Sequence, residues 1–326
     1  MLSYALLFFS GVGVFLFGLT LMTKTAVDYG EKFLEKKVQK ILNNPFSATF
    51  MGFAVTSIIQ SSTATNSLAV KLADEKLIDT KSSLYLIMGA NIGTTLTAYL
   101  ALLAKLELSN IIAACVFPSV FVLMITKNKK IKTAALIACC LSLVFIGLIL
   151  INLAAQPAKS SIYAFMNKKI NNFYLFFLSL LLTALFQSSS LTSVLLVSMC
   201  DMAAINMHTA MYMIMGINIG ACFSVILTTI GCSKTGWFCV CFHLFFNIVG
   251  LMLAAFMLKT GLLNFFIKIN APTDFKTALF HTFFNVMTTT FLFYFIPEID
   301  KTKNIFLFKA KKRKKKARVF VMKFPL

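Results

Sequence analysis

Residues 2–22 and 133–155 contain no charged side chain, and ~18 or more consecutive apolar residues are enough to cross the hydrocarbon core of a bilayer as a helix. No other feature narrows the available folds as far. Several such runs occur along the 326 residues, 59% of which are hydrophobic and 13% charged, against ~25% charged in soluble domains. The expected fold class is therefore an all-α polytopic membrane protein. The first run has no basic stretch before it and no small-residue cleavage site after it, so it reads as a retained span rather than a signal peptide.

Two polar clusters interrupt this apolar pattern. Residues 60–67 read QSSTATNS and residues 187–193 read QSSSLTS, each flanked by apolar sequence. A polar group in lipid costs free energy unless it is paired, so each cluster needs a reason. Aligning the chain with itself at an offset of 127 brings Gln60–Gly93 onto Gln187–Gly220 without a gap, and 15 of those 34 positions are identical. Among them are Gln60/Gln187, Ser61/Ser188, Ser62/Ser189, Thr65/Thr192, Asp74/Asp201, Asn91/Asn218 and Gly93/Gly220. Compositional bias would not put the polar identities in register. The chain reads as an internal duplication, each half carrying Q-S-S and then G-x-N-I-G.

The segments between the clusters set the expected topology. Leu2–Met22, Leu84–Leu103, Ile111–Ile125, Thr133–Ala155, Met207–Ile230, Trp237–Leu258 and Ala278–Ile296 are expected spans. Phe46–Ile59 with Ser62–Val70, and Phe173–Phe186 with Leu191–Cys200, are too short to cross ~30 Å at ~1.5 Å per residue. They are expected to form two re-entrant helical hairpins with their tips at the glutamines. Tyr29–Leu42 and Ser160–Ile170 read as interfacial amphipathic pieces. With the N-terminus outside, 24 of the 31 Lys and Arg fall in inside loops and 7 outside, as the positive-inside rule requires. The first hairpin then enters from the cytoplasm and the second from outside, which makes the halves inverted-topology repeats, an arrangement used by transporters. The expected organisation is a membrane domain over 1–300 (repeats at about 1–126 and 133–258, a final helix at about 276–297) and a basic cytoplasmic tail over 301–326.

The formal charge of +20 follows the loops and the tail stretch KAKKRKKKAR, so anionic lipid is the expected partner there and nucleic acid is not. The eight cysteines lack metal-ligand spacing and read as buried free thiols. His243 with Asn247, and His281 with Asn285, share helix faces and suit either interhelical hydrogen bonding or a proton relay. Asp74 and Asp201 align in the repeat, and a solvated hairpin exit or cation coordination would each explain them. No Walker loop, H-E-x-x-H or Ser-His-Asp order is present, so an enzyme is not expected.

Broken helices at Q-S-S would turn free N–H groups and the positive end of the helix dipole toward an anion. Hydroxyls and carbonyls there would suit a monovalent cation. Gln60, Ser61, Ser62, Thr63, Thr65, Gln187, Ser188, Ser189, Ser190 and Thr192 are the candidate binding residues, with Asn91 and Asn218 beside them. Ser and Thr also pack helices together in membranes, but two clusters in register with a duplicated G-x-N-I-G favour a site.

Those elements, with the opening GVGVFLFGLTLM and the pair FHLFFN (242–247) and FHTFFN (280–285), resemble the sodium/phosphate cotransporters of type II and their bacterial relatives, to about Pro297. The resemblance implies sodium-coupled import of inorganic phosphate by alternating access, the anion held between the two tips. Sodium would be the coupling ion, with no other cofactor and no structural metal. The chain departs from the family pattern at Thr63, Asn66, Ala221 and Cys222, and it has a basic tail where many bacterial members have a soluble regulatory domain. The implied location is the cell membrane, in bacteria the inner membrane. A carrier for another oxyanion or small organic anion shares these features, as does a non-transporting membrane sensor or scaffold. Both a monomer and a homodimer are compatible with the sequence.

Overall fold

The computed structural model describes residues 2–30, 42–158, 170–202 and 204–309. Helix is the only regular secondary structure among them. The first half contains α1 (Leu2–Gly30), α2 (Pro45–Ile59), α3 (Ser62–Asp74), α4 (Thr80–Thr94), α5 (Leu96–Leu103), α6 (Leu108–Ala114) and α7 (Val116–Ile125). The second contains α8 (Lys129–Ala155), α9 (Asn172–Phe186), α10 (Ser189–Asp201), α11 (Met207–Thr228) and α12 (Lys234–Lys259), followed by α13 (Asn264–Lys268), α14 (Thr273–Phe293) and α15 (Ile296–Lys309). The expected interfacial pieces lie largely outside the described residues, as does the tail beyond residue 309.

The helix boundaries recur. α1, α2, α3 and α4 start at residues 2, 45, 62 and 80, and α8, α9, α10 and α11 start at 129, 172, 189 and 207, a uniform offset of 127. The same kind of side-chain cap begins both helices in three of these pairs, α2 with α9, α3 with α10 and α4 with α11. Asn44 Oδ1 accepts from the Phe46 N–H at 2.9 Å, and Asn171 Oδ1 accepts from Phe173 at 2.9 Å. Asp79 accepts from Ser82 at 2.7 Å, and Asn206 accepts from Thr209 at 2.9 Å. Each such cap stabilises a helix by ~1 kcal/mol, so the turns before the helices fix their start points.

Packing repeats too. α1 lies along α8, α2 along α4, and α9 along α11. At Gly93 an added Cβ would stand 2.7 Å from the Phe53 carbonyl oxygen and 2.7 Å from Thr56 Cβ; at Gly220 it would stand 2.5 Å from the Leu180 oxygen and 2.7 Å from Thr183 Cβ. Phe53 and Thr56 are the offset partners of Leu180 and Thr183, so the two helix pairs share one packing register. One apolar core joins α3, α4 and α12 around Leu84, Ile87 and Phe246. A second joins α11 and α14 around Met211, Ile214, Phe280 and Phe284. The third, with Phe15, Val144, Phe145 and Leu191, ties α1 and α8 to α10.

Six helical stretches among the described residues are long and apolar enough to cross a membrane: 3–25, 80–103, 108–125, 129–155, 207–228 and 234–259. The chain is therefore an all-α polytopic membrane protein. The spans begin earlier than hydropathy alone suggests, because polar caps at Asp79, Asn128 and Ser233 carry the helices past their apolar edges. The expected final span, Ala278–Ile296, is different. α14 ends at Phe293 and passes the length-and-hydropathy requirement only together with α15, at a bend of 69°. Pro297 explains the bend: it has no N–H to continue the ladder onto the Phe293 carbonyl and its ring would clash with that carbonyl, so it sits in the first turn of a new helix.

Asp74, at the end of α3, is not a free hairpin exit. Its carboxylate accepts from the backbone N–H of Ser233 at 3.0 Å and of Gly236 at 3.1 Å, and from the Ser233 hydroxyl, capping α12 from outside. Partial burial pushes its pKa up, but the hydrogen bonds from Ser233 and Gly236 outweigh this and hold it below its ordinary value of 3.8. A carboxylate with a depressed folded-state pKa adds stability that is complete above its unfolded value and lost as pH falls through the folded one. Asp74→Ala is thus expected to lower stability by ~1–2 kcal/mol at neutral pH. The gap to the unaltered protein should close as pH drops below 3.8, read as melting temperature across a pH series. A gap that stays constant with pH would mean the carboxylate's charge plays no part.

Candidate functional site

The break between α2 and α3 is made by Gln60, at φ 57° and ψ 25°, followed by Ser61 at φ −138° and ψ 98°. The break between α9 and α10 repeats it: Gln187 sits at φ 50° and ψ 30°, and Ser188 at φ −144° and ψ 100°. Gln60, Lys76 and Gln187 are the non-glycine residues with positive φ among the described residues. A left-handed L-residue costs ~1–2 kcal/mol, and strain of this kind persists where the surrounding structure imposes it. Each glutamine ends one helix while the next serine opens another. Ser61 Oγ accepts from the Ala64 N–H at 3.3 Å, and Ser188 Oγ accepts from the Leu191 N–H at 3.2 Å.

Both breaks open onto one cavity of about 270 Å³, lined by Gln60, Ser61, Ser62, Thr63, Gln187, Ser188, Ser189 and Ser190. α1 supplies a further wall through Leu16, Leu19, Thr20 and Thr23, and Phe186 completes the lining. No lining residue carries a charge. Two helix N-termini converge on the space, each with N–H groups that lack intrahelical acceptors and each worth about +0.5 elementary charge. At ~30 Å³ of liquid volume per water, the cavity has room for a small oxyanion together with ions and water.

Eight of the twelve candidate residues meet in this cavity. The other four do not line it. Thr65 and Thr192 are buried and bond back to the carbonyls of Ser61 and Ser188, each at 3.2 Å, stiffening the first turn behind the tip. Asn91 and Asn218 are buried in α4 and α11, and their amides donate to the carbonyls of Ile87 at 2.8 Å and Ile214 at 2.9 Å.

Sequence reasoning missed Thr97 in α5. Its hydroxyl donates to Gln60 Oε1 at 2.8 Å and lies 3.2 Å from Ser190 Oγ, while Ser190 donates to the Gln60 carbonyl at 3.0 Å. These three residues join the two tips directly. A lone Thr in an apolar helix gives no signal by itself; its only sequence mark is that the offset partner, Ser224, is also a hydroxyl.

The sequence profile of the Na+/Pi-cotransporter family matches residues 14–154 and 150–270, nearly the whole membrane part. The chain belongs to this family. It is a family of transporters, not of enzymes. Relatives include the uncharacterised Bacillus subtilis (strain 168) protein YqeW, 22% identical over 84% of this chain and 89% of that protein. The sheep (Ovis aries) sodium-dependent phosphate transport protein 2A is 38% identical over 19% of this chain and 10% of its own length. A putative inorganic phosphate export protein, YjbB of Salmonella typhimurium, is 25% identical over 72% of this chain and 43% of its own. The chain thus covers a tenth of the animal relative and under half of the Salmonella one. No solved structure matches it.

The remaining polar residues singled out from the sequence lie outside the cavity. His243 Nε2 is 3.3 Å from Asn91 Oδ1 and 3.2 Å from Asn66 Nδ2, linking α12 to α4 and α3. Nε2 cannot both donate to Asn91 Oδ1 and accept from Asn66 Nδ2, so each ring tautomer serves one of these two partners. Asn247 and Asn285 donate to the carbonyls of His243 and His281 at 2.9 and 3.1 Å. Interhelical bonding accounts for His243. Asp201 does not coordinate with Asp74: Lys105 Nζ pairs with it at 2.9 Å and also contacts Asp274, tying the end of α10 to the start of α14. The eight cysteines are free thiols, five of them buried.

Proposed function

We propose that the chain is a sodium-coupled symporter of inorganic phosphate, with the anion held between the tips at Gln60 and Gln187. The observation that carries this reading is the uncharged cavity onto which two helix N-termini open. Phosphate carries between about one and two negative charges near neutral pH, and the two helix ends together offset about one. With no Lys or Arg in the lining, a co-bound cation supplies the rest, and hydroxyl and carbonyl oxygens of the tips suit sodium. A site without a guanidinium also releases phosphate readily, since charge-assisted bidentate bonds are the strong ones.

On this reading the helix pairs α2–α3 and α9–α10 are re-entrant hairpins of opposite orientation, and the two halves are inverted repeats that rock to expose the cavity alternately. The uniform offset of the helix starts and the shared packing register support it. The name of the Salmonella relative favours export as a second reading for net direction, and a reversible symporter would carry phosphate either way as the sodium gradient dictates. The basic tail would hold the cytoplasmic face against anionic lipid.

The test is labelled-phosphate movement in proteoliposomes, with sodium gradients of both directions and a potassium control. Flux should follow the sodium gradient and fall at least ~tenfold in Gln60→Ala and Gln187→Ala, each losing more than ~1.4 kcal/mol of site stabilisation. Folded protein that moves no phosphate would reject this substrate and leave another oxyanion as the candidate.

A further inference from the structure

The two halves match in helix starts and packing register, and differ in the hydrogen bonds around their tips. In the first half, Thr97 and Ser190 close on Gln60, which is only 4% exposed. The offset of 127 maps Thr97, Gln60 and Ser190 onto Ser224, Gln187 and Thr63, since Ser190 is itself the partner of Thr63. All three counterparts can form the same bonds: Ser224 and Thr63 carry hydroxyls and Gln187 repeats Gln60. Yet this second set is open. Gln187 is exposed in the cavity, and Ser224 Oγ, fully enclosed in α11, has no hydrogen-bond partner.

A buried hydroxyl without a partner costs about as much as a lost hydrogen bond, and in a membrane protein water offers it no easy relief. We infer that Ser224 is a positioning residue for the opposite-facing state, in which Ser224, Gln187 and Thr63 close on one another while Thr97 releases Gln60. The argument from register is direct. Gly93 and Gly220 seat α4 and α11 on offset-matched residues of α2 and α9, α10 packs on α5, and α3 packs on α11. The scaffold that brings Thr97 to Gln60 is therefore present around Ser224. One difference accompanies the asymmetry: at Thr95, where α4 passes into α5 with the backbone still helical (φ −66°, ψ −22°), the Thr95 N–H bonds to the Ile92 carbonyl three residues back, whereas α11 runs on past the matching Cys222.

This inference rests on the alternating-access part of the proposed function and not on the identity of the anion. Its test therefore reads conformation rather than transport: hydrogen exchange of the full chain in lipid nanodiscs, followed at peptides covering residues 57–66 and 184–193. Exchange at the closed first tip proceeds through the state in which it opens, so its rate tracks that state's population. Loss of one hydrogen bond that holds only the opposite state lowers that population about fivefold. Ser224→Ala should slow exchange at 57–66 by that factor, and Thr63→Val, at the cavity wall, should do the same. Thr97→Val should speed it about fivefold, and Ser224→Thr, which keeps the hydroxyl, should stay near the unaltered protein. Unchanged exchange in both Ser224→Ala and Thr63→Val overturns the proposal. So does acceleration in both, which would mark Ser224 as ordinary packing. If Ser224→Ala fails to fold, Thr63→Val with Thr97→Val decides alone. Shifts in the expected directions without phosphate flux would keep the exchange of triads and reject phosphate.

Discussion

Gly89→Val is expected to yield no folded, monodisperse protein after detergent extraction, and Gly216→Val the same. A Cβ at Gly89 would fall 1.8 Å from the Thr49 carbonyl oxygen and 2.7 Å from its carbon; across the same contact, a Cβ at Gly52 would fall 2.1 Å from the Leu86 oxygen. These obstacles are backbone atoms of α2 and α4, so no rotamer change relieves them. At Gly216 the Phe176 oxygen and Ser179 Oγ each stand 2.2 Å away. Overpacking a core costs ~1–3 kcal/mol when side chains can move. Here two helices would have to part along their length, and the loss should exceed ~3 kcal/mol out of the ~5–15 kcal/mol that holds an average domain. Gly13, with nothing within 4 Å of its would-be Cβ, is the control: Gly13→Ala should keep the elution profile and melting temperature of the unaltered protein. A well-folded Gly89→Val protein would show that α2 and α4 do not meet as closely as described.

These glycines illustrate what the sequence makes legible. G-x-N-I-G repeats at a fixed offset, and small residues at that spacing announce a close helix approach, so the packing of α4 and α11 could be anticipated without coordinates. The helix breaks could also be foreseen, because a polar Q-S-S between two short apolar arms has few other uses in lipid. Its left-handed glutamines could not be, since Gln has no preference for that conformation and is held there by the helices on either side. The role of Asp74 stayed hidden for a related reason: the donors to its carboxylate, the N–H groups of Ser233 and Gly236, lie about 160 residues downstream. Lys105 is similar, since only tertiary structure brings Asp201 and Asp274 to one ammonium. Asn91 and Asn218 were legible as amides needing partners. That the partners are carbonyls one turn back in their own helices, rather than a ligand, depends on side-chain direction.

Gln60→Gly and Gln187→Gly separate the backbone conformation of the tips from their side-chain chemistry. Glycine reaches φ near 55° without strain, which relieves ~1–2 kcal/mol, but it gives up ~0.5–1 kcal/mol through the greater freedom of the unfolded chain. At Gln187, exposed in the cavity, little else is lost, so Gln187→Gly should melt at or slightly above the temperature of the unaltered protein. Gln60 is different because its amide oxygen accepts from Thr97 and its amide nitrogen donates to the Ser57 carbonyl. Removing both contacts costs ~1–2 kcal/mol, so Gln60→Gly should melt lower. Phosphate flux should nonetheless fall at least ~tenfold in both, since each loses an amide from the same cavity. The alanine variants, which keep the backbone strain, should match the glycine variants in flux and fall below them in stability. Full flux in Gln187→Gly would mean that the side chain takes no part in binding, and that its position serves only to turn the chain so that α10 presents its N-terminus to the cavity.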